Sequence, residues 1–189
     1  MMRAMTDAHP SDAERTSLPV GAHASSTASD EVDRRIVAGQ IGREPRAMAG
    51  VAARCVFGLP AVTRQSPTDE HGRPFPTAFY LTCPFLVKQI DRLESTGAVR
   101  RYEQRLQDDP ELLASTARSH DRHAALDDRG SNIAASGDRA HVKCLHAHAA
   151  FELALGDHPL GRLALAESAP TWCDDARCTT LAGPTQLVD

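Results

Sequence analysis

Apolar residues return every three or four positions along most of this chain. Val32, Ile36, Val37 and Ile41 predict an amphipathic helix capped at Ser29, with Asp30, Glu31 and Asp33 near its positive end and Gly42 and Pro45 as its stop. Leu86, Ile90 and Leu93 predict a second helix that opens on Pro84 and ends at Gly97. Val99, Tyr102 and Leu106 predict a third that stops near Asp109, and Pro110 opens a fourth through Leu112, Leu113 and Ala117 toward Leu126. A fifth spans about Val142 to Leu155 before Gly156, and a short helical turn follows from Pro159 to Leu165.

Two stretches break that period. Residues Ala47 to Val56 and Phe75 to Thr82 are compact, partly β-branched or aromatic, and bounded by turn residues, so they read as two strands that pair as neighbours. The fold class that follows is α+β and mainly helical, a small two-stranded β element packed with about five helices. Residues 1–29, rich in Ala, Ser, Thr, Asp and His, hold too few large apolar groups to offset their ordering entropy and read as a disordered tail. One globular domain is expected over residues 30–178, with a frayed tail over 179–189. Residues 127–138 form a Gly/Ser/Asn/Asp loop long enough to act as a lid.

Composition narrows the function classes. A net charge of −4 and a pI near 6.1 argue against a phosphate backbone as the main partner. Lysine occurs only at Lys88 and Lys143, and the other basic residues are all arginine, a bias expected from a GC-rich coding sequence. No apolar run approaches the roughly 18–20 residues of a membrane span, and the N-terminal stretch lacks the apolar core of a secretory signal. The expected compartment is the cytoplasm. There, five cysteines read as free thiols, metal ligands or redox groups rather than a disulfide framework.

The cysteines stand at 55, 83, 144, 173 and 178, with no C-x-x-C pair. A metal site would therefore have to be assembled by the fold. Cys55, Cys83 and Cys144 each sit at an expected element end, where a rigid scaffold presents side chains and a helix N-terminus favours thiolate. Cys144 and His148, four apart, share a helix face, whereas His146 joins Cys144 only if that helix starts later. Three thiolates and a histidine suit tetrahedral zinc or an iron–sulfur cluster, and thiolate softness excludes magnesium or calcium. Buried cysteines also serve as small core hydrophobes. Cys173 and Cys178, near the end of the domain, are expected to be bystanders. Asp91 and Glu94, three apart on the second helix, are expected to face solvent. No phosphate-cradling loop, nucleophile elbow or H-E-x-x-H motif is present.

The blocks Ile41-Gly42-Arg43-Glu44-Pro45-Arg46, Arg54-Cys55-Val56-Phe57-Gly58-Leu59-Pro60, Phe75-Pro76-Thr77 with Leu81-Thr82-Cys83-Pro84, Leu93-Glu94 with Gly97, and Val142-Lys143-Cys144-Leu145-His146 follow in this order. Together they resemble an actinobacterial domain-of-unknown-function family, number 501, over about residues 30–173. The resemblance implies that the family pattern keeps Cys55, Cys83, Cys144 and His146, and often places a histidine where this chain has Phe151. It also implies gene neighbours concerned with septum formation and polyphosphate, an association with cell-envelope or division-related processes. Three functions are weighed: a zinc or iron–sulfur module on Cys55, Cys83, Cys144 and His146; a non-catalytic helical adaptor for a protein partner with core cysteines; and a cysteine-dependent enzyme with Cys83 as nucleophile and His146 as base.

Overall fold

A computed structural model of the chain describes residues 27–126, 128 and 130–182. The expected tail over residues 1–29 lies almost wholly outside the described residues, as do residues 183–189. Among the described residues the fold is α+β and mainly helical, with three strands, six α-helices and two short 3-10 helices.

Helix α1 (Thr27–Ile41) lays Ile36 and Val37 into the core. Strands β1 (Met48–Arg54), β2 (Pro60–Gln65) and β3 (Phe79–Leu81) then form an antiparallel meander in the order β1-β2-β3. The register pairs Val51 with Thr63 and Thr63 with Tyr80, so the two strands expected to be neighbours lie on either side of one not foreseen. Strand β2 escapes the pattern because it begins at a proline and carries Thr63, Arg64 and Gln65 in a run of six. Thr63 and Gln65 are nevertheless buried, and they satisfy each other through a 2.6 Å hydrogen bond from Gln65 Nε2 to Thr63 Oγ1.

Three consecutive helices agree closely with their periodicity. Helix α2 (Pro84–Ser95) buries Leu86, Ile90 and Leu93; α3 (Ala98–Asp108) follows Gly97, whose φ of +78° is a conformation glycine adopts freely. Asp109 caps α4 (Pro110–Ala124) by accepting from the Glu111 and Leu112 N–H groups, with Pro110 in the first turn. The buried face of α4 is unusually polar. Its His123 accepts from the Ala78 N–H and contacts the Ser131 carbonyl, and its His120 accepts from the Ile133 N–H, so α4 anchors the loops on both sides of it. Within the expected 127–138 loop, residues 133–135 form a 3-10 turn that buries Ile133.

Helix α5 (Leu145–Leu155) is the central element. Leu145, Ala147, His148, Ala149, Ala150 and Phe151 are all buried, because it packs against β3, α2 and α6 at once. Helix α6 (Pro159–Glu167) crosses it at Gly161, where a Cβ would stand 2.3 Å from the His148 carbonyl oxygen. A final 3-10 helix, Arg177–Ala182, packs on α1, with Leu181 against Gly39.

Two predictions follow from this core. Gly161→Ala should lower the unfolding free energy by roughly 1–3 kcal/mol through backbone overpacking, the reverse of the gain of about 1 kcal/mol that alanine brings to an ordinary helix interior. Urea denaturation reads the sign, and a stabilised variant would contradict the close α5–α6 crossing. Burial, reinforced by neighbouring His123 and Arg139, lowers His120 to about 4, and burial with His120, Arg122 and Arg162 nearby lowers His158 to about 3. Both stay neutral in the folded chain while the unfolded chain binds protons below about 6.5. Stability present above that pH should therefore fall as pH drops toward 4, at about 1.4 kcal/mol per pH unit for each histidine. A denaturation midpoint that is flat from pH 7 to 4.5 would contradict this.

Candidate functional site

The start of α5 carries the chemistry. The chain reaches it extended: Val142 N–H donates to Glu103, and Cys144 has φ −160° and ψ 118°, outside helical values. Cys144 makes no cap bond of its own. Instead Glu94, from the last turn of α2, accepts the Leu145 N–H at 2.7 Å, placing a carboxylate at the positive end of α5. The helix therefore starts three residues later than its periodicity predicts. That later start is the condition under which His146 can join Cys144, and the two side chains meet.

His146 Nδ1 lies 3.7 Å from Cys144 Sγ and 3.4 Å from Glu94 Oε1. Its other nitrogen, Nε2, lies 3.3 Å from the Val87 carbonyl and 3.3 Å from Asp91 Oδ1. Val87, Asp91 and Glu94 are spaced i, i+4, i+7 and form one face of α2 turned toward the imidazole. Burial opposes the charged imidazole, but the Cys144 sulfur, Glu94 and the Val87 carbonyl overcome it and raise His146 to about 9. At neutral pH, with nothing else bound, this histidine is an imidazolium between Cys144 and Glu94.

A cleft of about 430 Å³ opens beside the pair, walled by Phe79, Tyr80, Leu81, Val87 and Ala147. Thr77, Lys143, Cys144 and His146 contribute polar groups to its lining. The site is a mostly apolar recess with a few convergent polar groups, the usual form of a small-molecule site.

Of Asp91 and Glu94, both expected to face solvent, only Glu94 departs from that expectation. Asp91 is exposed but reaches the imidazole, and Glu94 is half-buried between α2 and α5. The available signal was their spacing from Val87, which could not show what the face meets. His148, the alternative partner of Cys144, points elsewhere and bonds His158 at 2.8 Å in the core.

Cys55 and Cys83 do not join Cys144 and His146. Cys55 opens the β1–β2 turn, where its carbonyl accepts the Gly58 N–H, and Cys83 is the N-cap residue of α2, with its thiol pushed up by burial. Both line a separate, small pocket together with Cys173 and Cys178. Among the described residues, the one set of three His, Cys, Asp or Glu ligand atoms lying within 4.8 Å of each other is Glu94, Cys144 and His146. The four residues expected to form a single centre are thus divided between two places, because the helix α2 separates its own N-cap from the groove in which His146 sits.

No helix is long and apolar enough to cross a membrane among the described residues. Neither the curated proteins nor the solved structures contain a match to this chain. Residues 51–134, from β1 to the 3-10 turn at Ile133, match the model of the family described as Protein of unknown function (DUF501), so this part of the chain is similar to that family.

Proposed function

We propose that the protein binds one zinc-class ion through Glu94, Cys144 and His146, with a coordination position directed to the apolar cleft. The observation that carries this reading is the spacing of three unlike donors. Zinc bonds of about 2.0–2.3 Å give tetrahedral ligand edges of roughly 3.3–3.8 Å, and the edges from His146 Nδ1 are 3.7 Å to sulfur and 3.4 Å to oxygen. The second nitrogen supports it too. A metal-bound imidazole commonly donates its other N–H to a carbonyl or carboxylate, and Val87 O and Asp91 Oδ1 both stand ready for Nε2.

The donor set separates the two cofactors considered from the sequence. A single thiolate with nitrogen and oxygen suits zinc, whereas an iron–sulfur cluster is held by several thiolates. Three protein ligands and an open position are the arrangement of catalytic rather than structural zinc. Zinc held there would polarise an oxygen donor or acidify bound water. The chain's own residues would seat an apolar ligand body against Phe79 and Leu81 and set Lys143 at the cleft for an anionic end.

One observation favours a second reading, a metal-free cysteine enzyme. Cys144 Sγ, His146 and Asp91 stand in the order nucleophile, base and orienting carboxylate, with the sulfur on the cleft wall. In that reading the nucleophile is Cys144 rather than Cys83, since Cys83 lies outside the cleft.

Metal titration of the stripped protein separates the readings. Cys144→Ala and His146→Ala should each lose one equivalent of bound zinc, and Asp91→Asn should retain it with an affinity weakened about 10–100-fold. Zinc should also protect Cys144 from alkylation by iodoacetamide. Unchanged zinc stoichiometry in Cys144→Ala, with rapid alkylation of the wild-type thiol in the presence of zinc, would refute the metal reading in favour of the nucleophile.

A further inference from the structure

The five cysteines are distributed four to one. Cys55 comes from the β1–β2 turn, Cys83 from the N-cap of α2, Cys173 from the irregular segment after α6, and Cys178 from the last 3-10 helix. All four line one narrow pocket, together with Gln40 and Trp172. Its free volume is about 10 Å³, the room a single water-sized sphere needs. Cys83 and Cys178 are 6% and 7% exposed, so half of the thiol set is withdrawn from solvent.

We propose that Cys55, Cys83, Cys173 and Cys178 form a second site, a tetrathiolate that takes one soft, zinc-class cation and ties the C-terminal segment to the sheet and α2. It is independent of the Glu94–Cys144–His146 centre and stands whether or not that centre binds metal. Convergence from three separate stretches of chain is the first support. The second is the pair Cys173 and Cys178, whose four intervening residues fall within the two-to-four spacing of zinc-chelating cysteine pairs.

Gln40 supplies the third. Its Nε2 donates to the Pro60 carbonyl at 2.8 Å, which leaves Oε1 buried and without a hydrogen-bond partner on the wall of the same pocket. A buried acceptor of this kind is anomalous in a folded chain unless something in the pocket meets it. A cation, or a water bound to one, does so.

No three of these sulfurs lie within 4.8 Å of one another, whereas tetrahedral zinc–thiolate edges are about 3.8 Å. Binding must therefore draw some of them inward. Cys55 and Cys83 are fixed by backbone hydrogen bonds to Leu59 and Ala61, while residues 169–176 lie outside helix and strand and are the part that can close. Each thiol that binds gives up its proton to solvent, so uptake of the cation should release protons.

Cobalt(II) titration of the full chain, purified anaerobically and stripped with chelator, tests this. The wild type should develop the intense visible and sulfur-to-cobalt charge-transfer absorption of a thiolate-rich tetrahedral site, and amide exchange over residues 170–182 should slow on binding. Cys144→Ala should keep that absorption, and Cys178→Ser should lose it. Cys173→Ser, at a more exposed position, should lose it as well and serves if Cys178→Ser fails to fold by circular dichroism. Retention of the band in a folded Cys173→Ser or Cys178→Ser variant would overturn the proposal. So would disulfide bonds among these four cysteines in the purified chain, or iron with acid-labile sulfide in place of a single ion. Loss of the band in Cys144→Ala alone would assign the absorption to the other centre and also overturn it.

Discussion

The carboxylate of Glu94 accepting the first N–H of α5 is the contact on which the candidate centre depends. A helix N-terminus leaves its opening N–H groups unsatisfied, and a capping oxygen there contributes about 0.5–2 kcal/mol. Usually the residue before the helix provides it. Here the cap comes from a different helix, at 2.7 Å, and the residue in the N-cap position is a cysteine whose sulfur makes no cap bond and meets His146 instead. One bond thus fixes where α5 begins, sets α2 against it, and holds an oxygen, a sulfur and a nitrogen around one point.

Helix α2 then links two regions of different chemistry. Its N-cap, Cys83, belongs to a pocket of thiols lined in part by the C-terminal segment, while Val87, Asp91 and Glu94 along one of its faces orient His146. The first region has the softness and closure of a structural site, and the second has mixed donors beside an open cleft. Behind them the core accepts an unusual load of buried imidazole. His148 is also held well below its ordinary range by burial, and like His120 and His158 it is accommodated as a neutral ring. That choice ties the stability of the scaffold to pH.

Much of the helical frame is legible in the amino-acid pattern, since α2, α4 and α6 open on prolines, Asp109 caps α4, and α1 to α4 carry apolar positions at helical spacing, although α1 already includes Ser29, its expected cap. Strand β2 is not, because its polar residues are buried by pairing with each other and periodicity reads them as exposed. The start of α5 is not legible either: Val142 fits the apolar period, and the carboxylate that ends the competition is 51 residues away. For the same reason the sequence picks out Cys144 and His146 but not Glu94 or Asp91, and groups Cys55 and Cys83 with the wrong partners. Element ends mark where thiols are presented; which thiols meet is set by tertiary packing.

X-ray absorption at the zinc edge tests the central claim most directly, on a Cys173→Ser, Cys178→Ser chain loaded with one equivalent of zinc. The account predicts a first shell with one sulfur at about 2.3 Å and the remaining ligands nitrogen or oxygen at about 2.0–2.2 Å. A shell with no sulfur, or with three or more, would contradict it.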